Sequence, residues 1–402
     1  MPRPPRHDLT ATSTPAGRIA AAALVALAVA MGIGRFAFTP ILPMMQDDFG
    51  LPTQQGALLA TLNYLGYLAG ATAAIWLRAR GTTIVAGGLT LIGATTLAMA
   101  VAFGMWWWCA LRFVAGVASA WVLIYASTWA LQTLAARGRP ALGGVVFSGV
   151  GAGIVVSGIV CLALMTVHAR SAAAWTTLGA LAFAGTAVVL PALRASPPGG
   201  PVASAPKFAI AEAGREFWRL VLCYGCFGFG YILPATFLPV MAKSMLGDPR
   251  LFGWAWPVFG LAAAVSTLLL SRGGIAGRPR TTWIVANLVM AVGVCMPLAS
   301  PSLYGVIASA LGVGGTIMVI TMAGMQEARR VAGAHAANYF AAMTTAFAVG
   351  QVLGPLVVGA LARNRNGYAY ALSIAAVLLV ASAVLLSKSC DRLFAPPPRV
   401  TQ

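Results

Sequence analysis

Two guanidinium groups stand where an apolar chain can least accommodate them. Arg35 and Arg112 each fall inside a long hydrophobic run, while the other basic residues lie between such runs or at their ends. A charge in hydrocarbon costs at least ~2.5 kcal/mol, so such a residue faces a cavity or a partner. The acidic residues offer none: Asp8, Asp47, Asp48, Glu212, Glu216, Asp248, Glu327 and Asp391 all avoid the middle of a run. The histidines, His7, His168 and His335, lie in a tail or at run ends. Two buried cations without carboxylates fit recognition of an anion, because the guanidinium fork matches carboxylate and phosphate. No nucleophile–base set, phosphate-cradling loop or metal-ligand cluster is visible, so neither an enzyme nor a cofactor is expected. Cys223-Tyr-Gly-Cys226 has redox spacing, but inside an apolar run these thiols read as small packing residues.

Helical geometry at 100° per residue selects companions for the two arginines. Phe38 and Thr39 share the Arg35 face, and Gly116 and Ser119 share that of Arg112. Asn63 and Tyr67 line one face of the second run, where an amide in an apolar setting needs partners. Tyr64 lies 100° away from that face. Tyr224, Phe227 and Tyr231 share a face of the seventh run, and Phe340, Thr344, Phe347 and Gln351 share one of the eleventh. Arg35 and Arg112 come out roughly 7 Å inside the same membrane surface at 1.5 Å per residue. One anion held between them is one reading; each bonded to helix carbonyls is the other. Near the opposite surface, Glu327 is a candidate gating residue with Arg272 or Arg280 as its partner.

The elements that position these residues are membrane spans. The chain has 402 residues, 59% hydrophobic and 8% charged, against about 25% charged in a soluble domain. A span needs ~20 apolar residues, and twelve runs qualify: 18–42, 55–77, 82–104, 107–134, 141–167, 172–193, 217–242, 252–271, 281–299, 303–325, 336–361 and 368–388. The net charge of +18 is dispersed among the connections, so nucleic acid is not expected as a partner. With the N-terminus inside, internal segments hold 19 Lys and Arg and external loops 5. That asymmetry places both termini of a multi-pass membrane protein in the cytoplasm.

The chain also repeats itself. Gly32-Ile-Gly-Arg35 aligns with Gly228-Phe-Gly-Tyr231 at an offset of 196, where Pro43 meets Pro239. Gly149, Gly153 and Gly158 match Gly350, Gly354 and Gly359 at an offset of 201. The expected organisation is a tail over 1–17, a six-helix bundle over 18–193, a linker over 194–216, a second bundle over 217–388 and a tail over 389–402. This is an all-α membrane fold of two pseudo-symmetric halves, a transporter architecture with its site between the halves.

Twelve spans in parallel six-helix halves resemble the major facilitator superfamily. The block Gly32-Ile-Gly-Arg-Phe-Ala-Phe-Thr-Pro-Ile-Leu-Pro-Met-Met45, followed by Leu62-Asn-Tyr-Leu-Gly-Tyr-Leu-Ala-Gly70, is similar to its bacterial YbfB/YjiJ-like branch. Arg112-Phe-Val-Ala-Gly116 is similar to the superfamily's span-four motif, whereas Leu77-Arg-Ala-Arg-Gly81 lacks the acidic residue usual after span two. The resemblance implies a secondary transporter working by alternating access, with a lipid bilayer and a small molecule as partners. A monomeric carrier of small organic anions is the expected function. Efflux of hydrophobic compounds is the alternative, and a non-transporting membrane sensor a more distant one.

Overall fold

The computed structural model describes residues 15–74, 77, 79–195, 214–273, 278–361, 364 and 366–388, without the side chains of 272, 273, 334, 336 and 337. Expectations for the tails, for most of the linker and for the Arg272 side chain lie outside these residues. The described residues contain helices and no strand. In chain order the α-helices are α1 (Ala16–Leu27), α2 (Phe38–Phe49), α3 (Thr53–Ala73), α4 (Gly81–Ala98), α5 (Met105–Ala136), α6 (Gly143–Thr166) and α7 (Ser171–Arg194). The second half supplies α8 (Arg215–Leu246), the short α9 (Pro249–Phe252), α10 (Ala255–Gly273), α11 (Pro279–Ala299), α12 (Leu303–Ala332), α13 (Ala336–Leu361) and α14 (Gly367–Ser387).

Among the described residues, eleven helical units are long and apolar enough to cross a membrane, with Ala16–Phe49 counting as one. The expected span that is not among them is α3, which has the length but carries Gln54, Gln55, Asn63, Tyr64 and Tyr67. Its last three polar residues are buried against protein, where lipid does not set the required hydropathy.

Helix packing follows the sequence repeat. In the first half α5 packs on α3 and α4, and α4 on α7; in the second, α12 packs on α10 and α11, and α11 on α14. Across the halves α6 packs on α10 and α3 on α13, two contacts that exchange when the halves are interchanged. The repeated glycines sit at matched crossings. A Cβ on Gly149 would lie 2.2 Å from Leu24 O, and one on Gly350 would lie 2.4 Å from Gly225 O. Both crossings are backbone approaches that only glycine permits, although the 196 register of the first and seventh spans pairs Leu24 with Leu220, so the second crossing sits five residues further along α8.

The first span breaks this symmetry. Ala28–Ile33 forms a π-helical segment, and Gly34 N–H and Phe36 N–H reach back five residues to Val29 O and Met31 O, each at 2.9 Å. Pro40 then withholds an N–H from Phe36 O, which accepts Thr39 N–H at 3.1 Å instead. Its counterpart α8 runs unbroken through Pro234 and Pro239. The widened turn therefore belongs to the half that carries Arg35, and such π-bulges recur at functional sites.

Candidate functional site between the two halves

Arg35 follows the π segment and is 1% exposed. One of its terminal N–H groups donates to Gln351 Oε1 on α13, and Gln351 Nε2 donates to the Tyr231 hydroxyl on α8. The guanidinium carbon lies 4.0 Å from the Tyr67 ring centroid, 5.2 Å from that of Tyr64 and 5.5 Å from that of Phe36. Ring faces offset part of the cost of burying the charge. Arg35 Nε has no hydrogen-bond partner, and no ion pair among the described residues involves Arg35 or Arg112.

The second half supplies an aromatic wall. Tyr231 stacks on Phe347 with centroids 5.3 Å apart and planes 3° apart. Phe227 lies 5.4 Å from Tyr231 and 5.1 Å from Phe347, and Tyr224 continues the row 5.4 Å from both Phe227 and Phe347. Trp256 of α10 approaches Phe36 at 6.3 Å, adding an aromatic contact across the halves. A buried cation among rings of the first half is thus linked through the Gln351 amide to the aromatic row of the second.

Arg112 is placed otherwise. Its terminal nitrogens donate to Gly34 O at 3.4 Å and Arg35 O at 3.1 Å, and its guanidinium lies 4.7 Å from the Phe38 ring. Of the two readings offered by the sequence, this geometry is the bond to helix carbonyls. The reason is local, since the break that Pro40 imposes leaves Arg35 O for a side-chain donor. Asn63 supports the same joint by donating from Nδ2 to Arg112 O at 2.9 Å. Thr39 does not face the Arg35 guanidinium's partners; it donates to Ala235 O of α8 at 2.7 Å. Arg35, Tyr67, Tyr224, Tyr231, Phe347 and Gln351 are therefore brought together, with Phe38, Thr39, Asn63 and Arg112 forming the frame.

Of the two partners the sequence offers for Glu327, Arg280 pairs with it in the structure. Glu327 is fully buried and accepts from Arg280 Nε at 2.8 Å and from Arg330 Nε at 2.9 Å. Arg280 also pairs with Glu216, which pairs with Arg219 at 2.6 Å. Every one of these residues belongs to the second half.

Sequence reasoning missed two features. Tyr64, set aside because it lies 100° from Asn63, hydrogen-bonds Thr236 across the halves at 2.9 Å and faces Arg35. Lys243 at the end of α8 pairs with Asp47 at the end of α2 and donates to Pro43 O at 3.1 Å. The signal for that pair was present, because Asp47 and Lys243 are 196 residues apart, as are Thr39 and Ala235. Positions related by the repeat meet where the two halves face each other, so any complementary charges at that offset were candidates for contact.

Residues 27–387 match the family described as "Uncharacterised MFS-type transporter YbfB". The chain belongs to this family of MFS-type transporters. The match begins at Leu27, the last residue of α1, and runs to Ser387, the end of α14, so nearly all of the membrane-embedded carrier is covered. No curated protein matches the chain. For an MFS-type transporter, a site between the halves is where a solute and the moving parts meet, and Arg35 stands there.

Proposed function

We propose that this carrier moves a small organic anion with an aromatic or apolar body across the bacterial inner membrane, both termini lying in the cytoplasm, by alternating access as a monomer. The supporting observation is Arg35, 1% exposed between the halves with an amide, and no carboxylate, as its hydrogen-bond partner. Leaving a guanidinium without a counter-charge in a low-dielectric site is costly, and a bound carboxylate or phosphate would neutralise it through charge-assisted bonds. The stacked rings of Tyr231 and Phe347, with Phe227 and Tyr224 beyond them, offer the apolar surface that ligand pockets use around a few polar groups. That same row favours a second reading, efflux of hydrophobic aromatic compounds with Arg35 as a structural group.

The two readings separate on Arg35→Lys and Arg35→Gln in proteoliposomes presented with a panel of aliphatic and aromatic carboxylates. Under the anion reading Arg35→Gln abolishes transport and Arg35→Lys retains a reduced rate, since an ammonium keeps the charge without the bidentate fork. Full transport by both variants would refute it.

A further inference from the structure

Gln351 is wholly buried on α13 and joins Arg35 of the first half to Tyr231 on α8 of the second. A guanidinium carries only donors, so the amide oxygen must face Arg35 and the amide NH2 must face the Tyr231 hydroxyl. In the first half the position 201 residues before Gln351 is Val150, and in the second half the position 196 residues after Arg35 is Tyr231. Each half thus carries a polar residue where its mate has another side chain, and these two meet across the interface. Toward the Asp47–Lys243 face the halves are held further by the bonds of Thr39 to Ala235 and of Tyr64 to Thr236.

A neutral amide is a competent acceptor for a guanidinium but a weaker one than a carboxylate, which makes charge-assisted and often bidentate bonds. We infer that Gln351 is a displaceable strap: its amide holds Arg35 and closes the Asp47–Lys243 face, and a substrate anion competes for the same N–H groups and releases it. The displacement part rests on the reading of Arg35 as the anion-binding group, whereas the strap itself does not. Gln351 is on this account a positioning residue that sets the threshold at which an anion opens the carrier.

The test uses the full-length carrier in proteoliposomes, with Val240→Cys as a reporter. Val240 is 8% exposed and lies three residues before Lys243. Alkylation at position 240 by an impermeant maleimide, read by peptide mass spectrometry, follows opening of that face. Without added ligand, Gln351→Leu should raise the alkylation rate by roughly tenfold, the worth of one hydrogen bond to a charged group. Gln351→Glu, whose carboxylate pairs with Arg35, should lower it. Opposite signs exclude general loosening by mutation; equal rates, or shifts in the same direction, would overturn the strap.

Benzoate serves as the carboxylate probe. It should raise alkylation in the Gln351 protein and bind roughly tenfold more tightly to Gln351→Leu. Opposite signs without any effect of benzoate would support the strap while speaking against the anion reading. Benzoate binding that depends on Arg35, with alkylation indifferent to both Gln351 changes, would keep the anion reading and overturn the strap.

Discussion

Replacing Arg112 by Gln separates a framework cation from a ligand. The Arg112 guanidinium donates to Gly34 O and Arg35 O at 3.4 and 3.1 Å, and both atoms lie in the irregular turn between the π segment and α2. Hydrogen bonds to charged groups contribute about 1.5–3 kcal/mol each, while interhelical bonds in membranes average ~0.6 kcal/mol. The 3.4 Å contact belongs at the weak end of such bonds. Together the two contacts are worth about 2–3 kcal/mol. A shortened amide does not span the same gap, and the carbonyls it abandons have no water to turn to. For a half of this size each kcal/mol shifts the midpoint by about 2–4 °C, so Arg112→Gln should unfold about 5–10 °C below the unsubstituted carrier in a detergent thermal-unfolding assay. Affinity for a transported carboxylate, measured below that temperature, should change far less than with Arg35→Gln. An unchanged midpoint combined with lost carboxylate binding would refute the reasoning and return Arg112 to the site as a ligand.

Other outcomes follow from the same geometry. Glu327→Gln removes the buried carboxylate shared by Arg280 and Arg330, and breaking such a pair costs about 3–5 kcal/mol; a thermal midpoint equal to that of the unsubstituted carrier would contradict its role as the anchor of α8, α11 and α12. Gly149→Ala and Gly350→Ala put a Cβ 2.2 and 2.4 Å from carbonyl oxygens at matched crossings, so each should cost about 1–3 kcal/mol of stability by overpacking. Comparable losses support the repeat, and a loss at only one site would count against equivalent packing. Lys243→Asp should open the Asp47 face to an impermeant alkylating reagent, and Asp47→Lys in the same chain should close it again. Because Asp47 is largely exposed, the pair is worth at most ~1 kcal/mol and the change at most about fivefold. Failure of the swap to restore closure would show that Pro43 O, or nothing at all, is the partner that matters.

Much of the architecture was legible in the sequence because hydrocarbon forces backbone groups into helices and side chains into long apolar runs. The offsets of 196 and 201 anticipated the equivalence of the two halves, and Gly149 and Gly350 show what the repeat preserves. The span that escaped the hydropathy rule, α3, did so through Asn63, Tyr64 and Tyr67, which protein rather than lipid surrounds. Within the site, Arg35 stood out because an unpaired charge in an apolar run has few explanations. The π segment before it did not, since Ala-Val-Ala-Met-Gly-Ile has the composition of an ordinary helix and differs only in where its N–H groups point. Arg112 was ambiguous for a related reason. Whether Arg35 O is free depends on Thr39 N–H turning to Phe36 O, a choice fixed by Pro40 and invisible to face-counting. Gln351 was recognised as inward-facing, but its position between Arg35 and Tyr231 depends on how the halves meet.

The central claim is that Arg35 is the counter-charge for a transported anion. Counterflow of radiolabelled aromatic carboxylates into proteoliposomes tests it most directly, with Arg35→Lys and Arg35→Gln set beside the unsubstituted carrier at matched protein density. The account predicts saturable exchange by the unsubstituted carrier, a raised half-saturation with Lys and no exchange with Gln. Undiminished exchange by the Gln variant would contradict it.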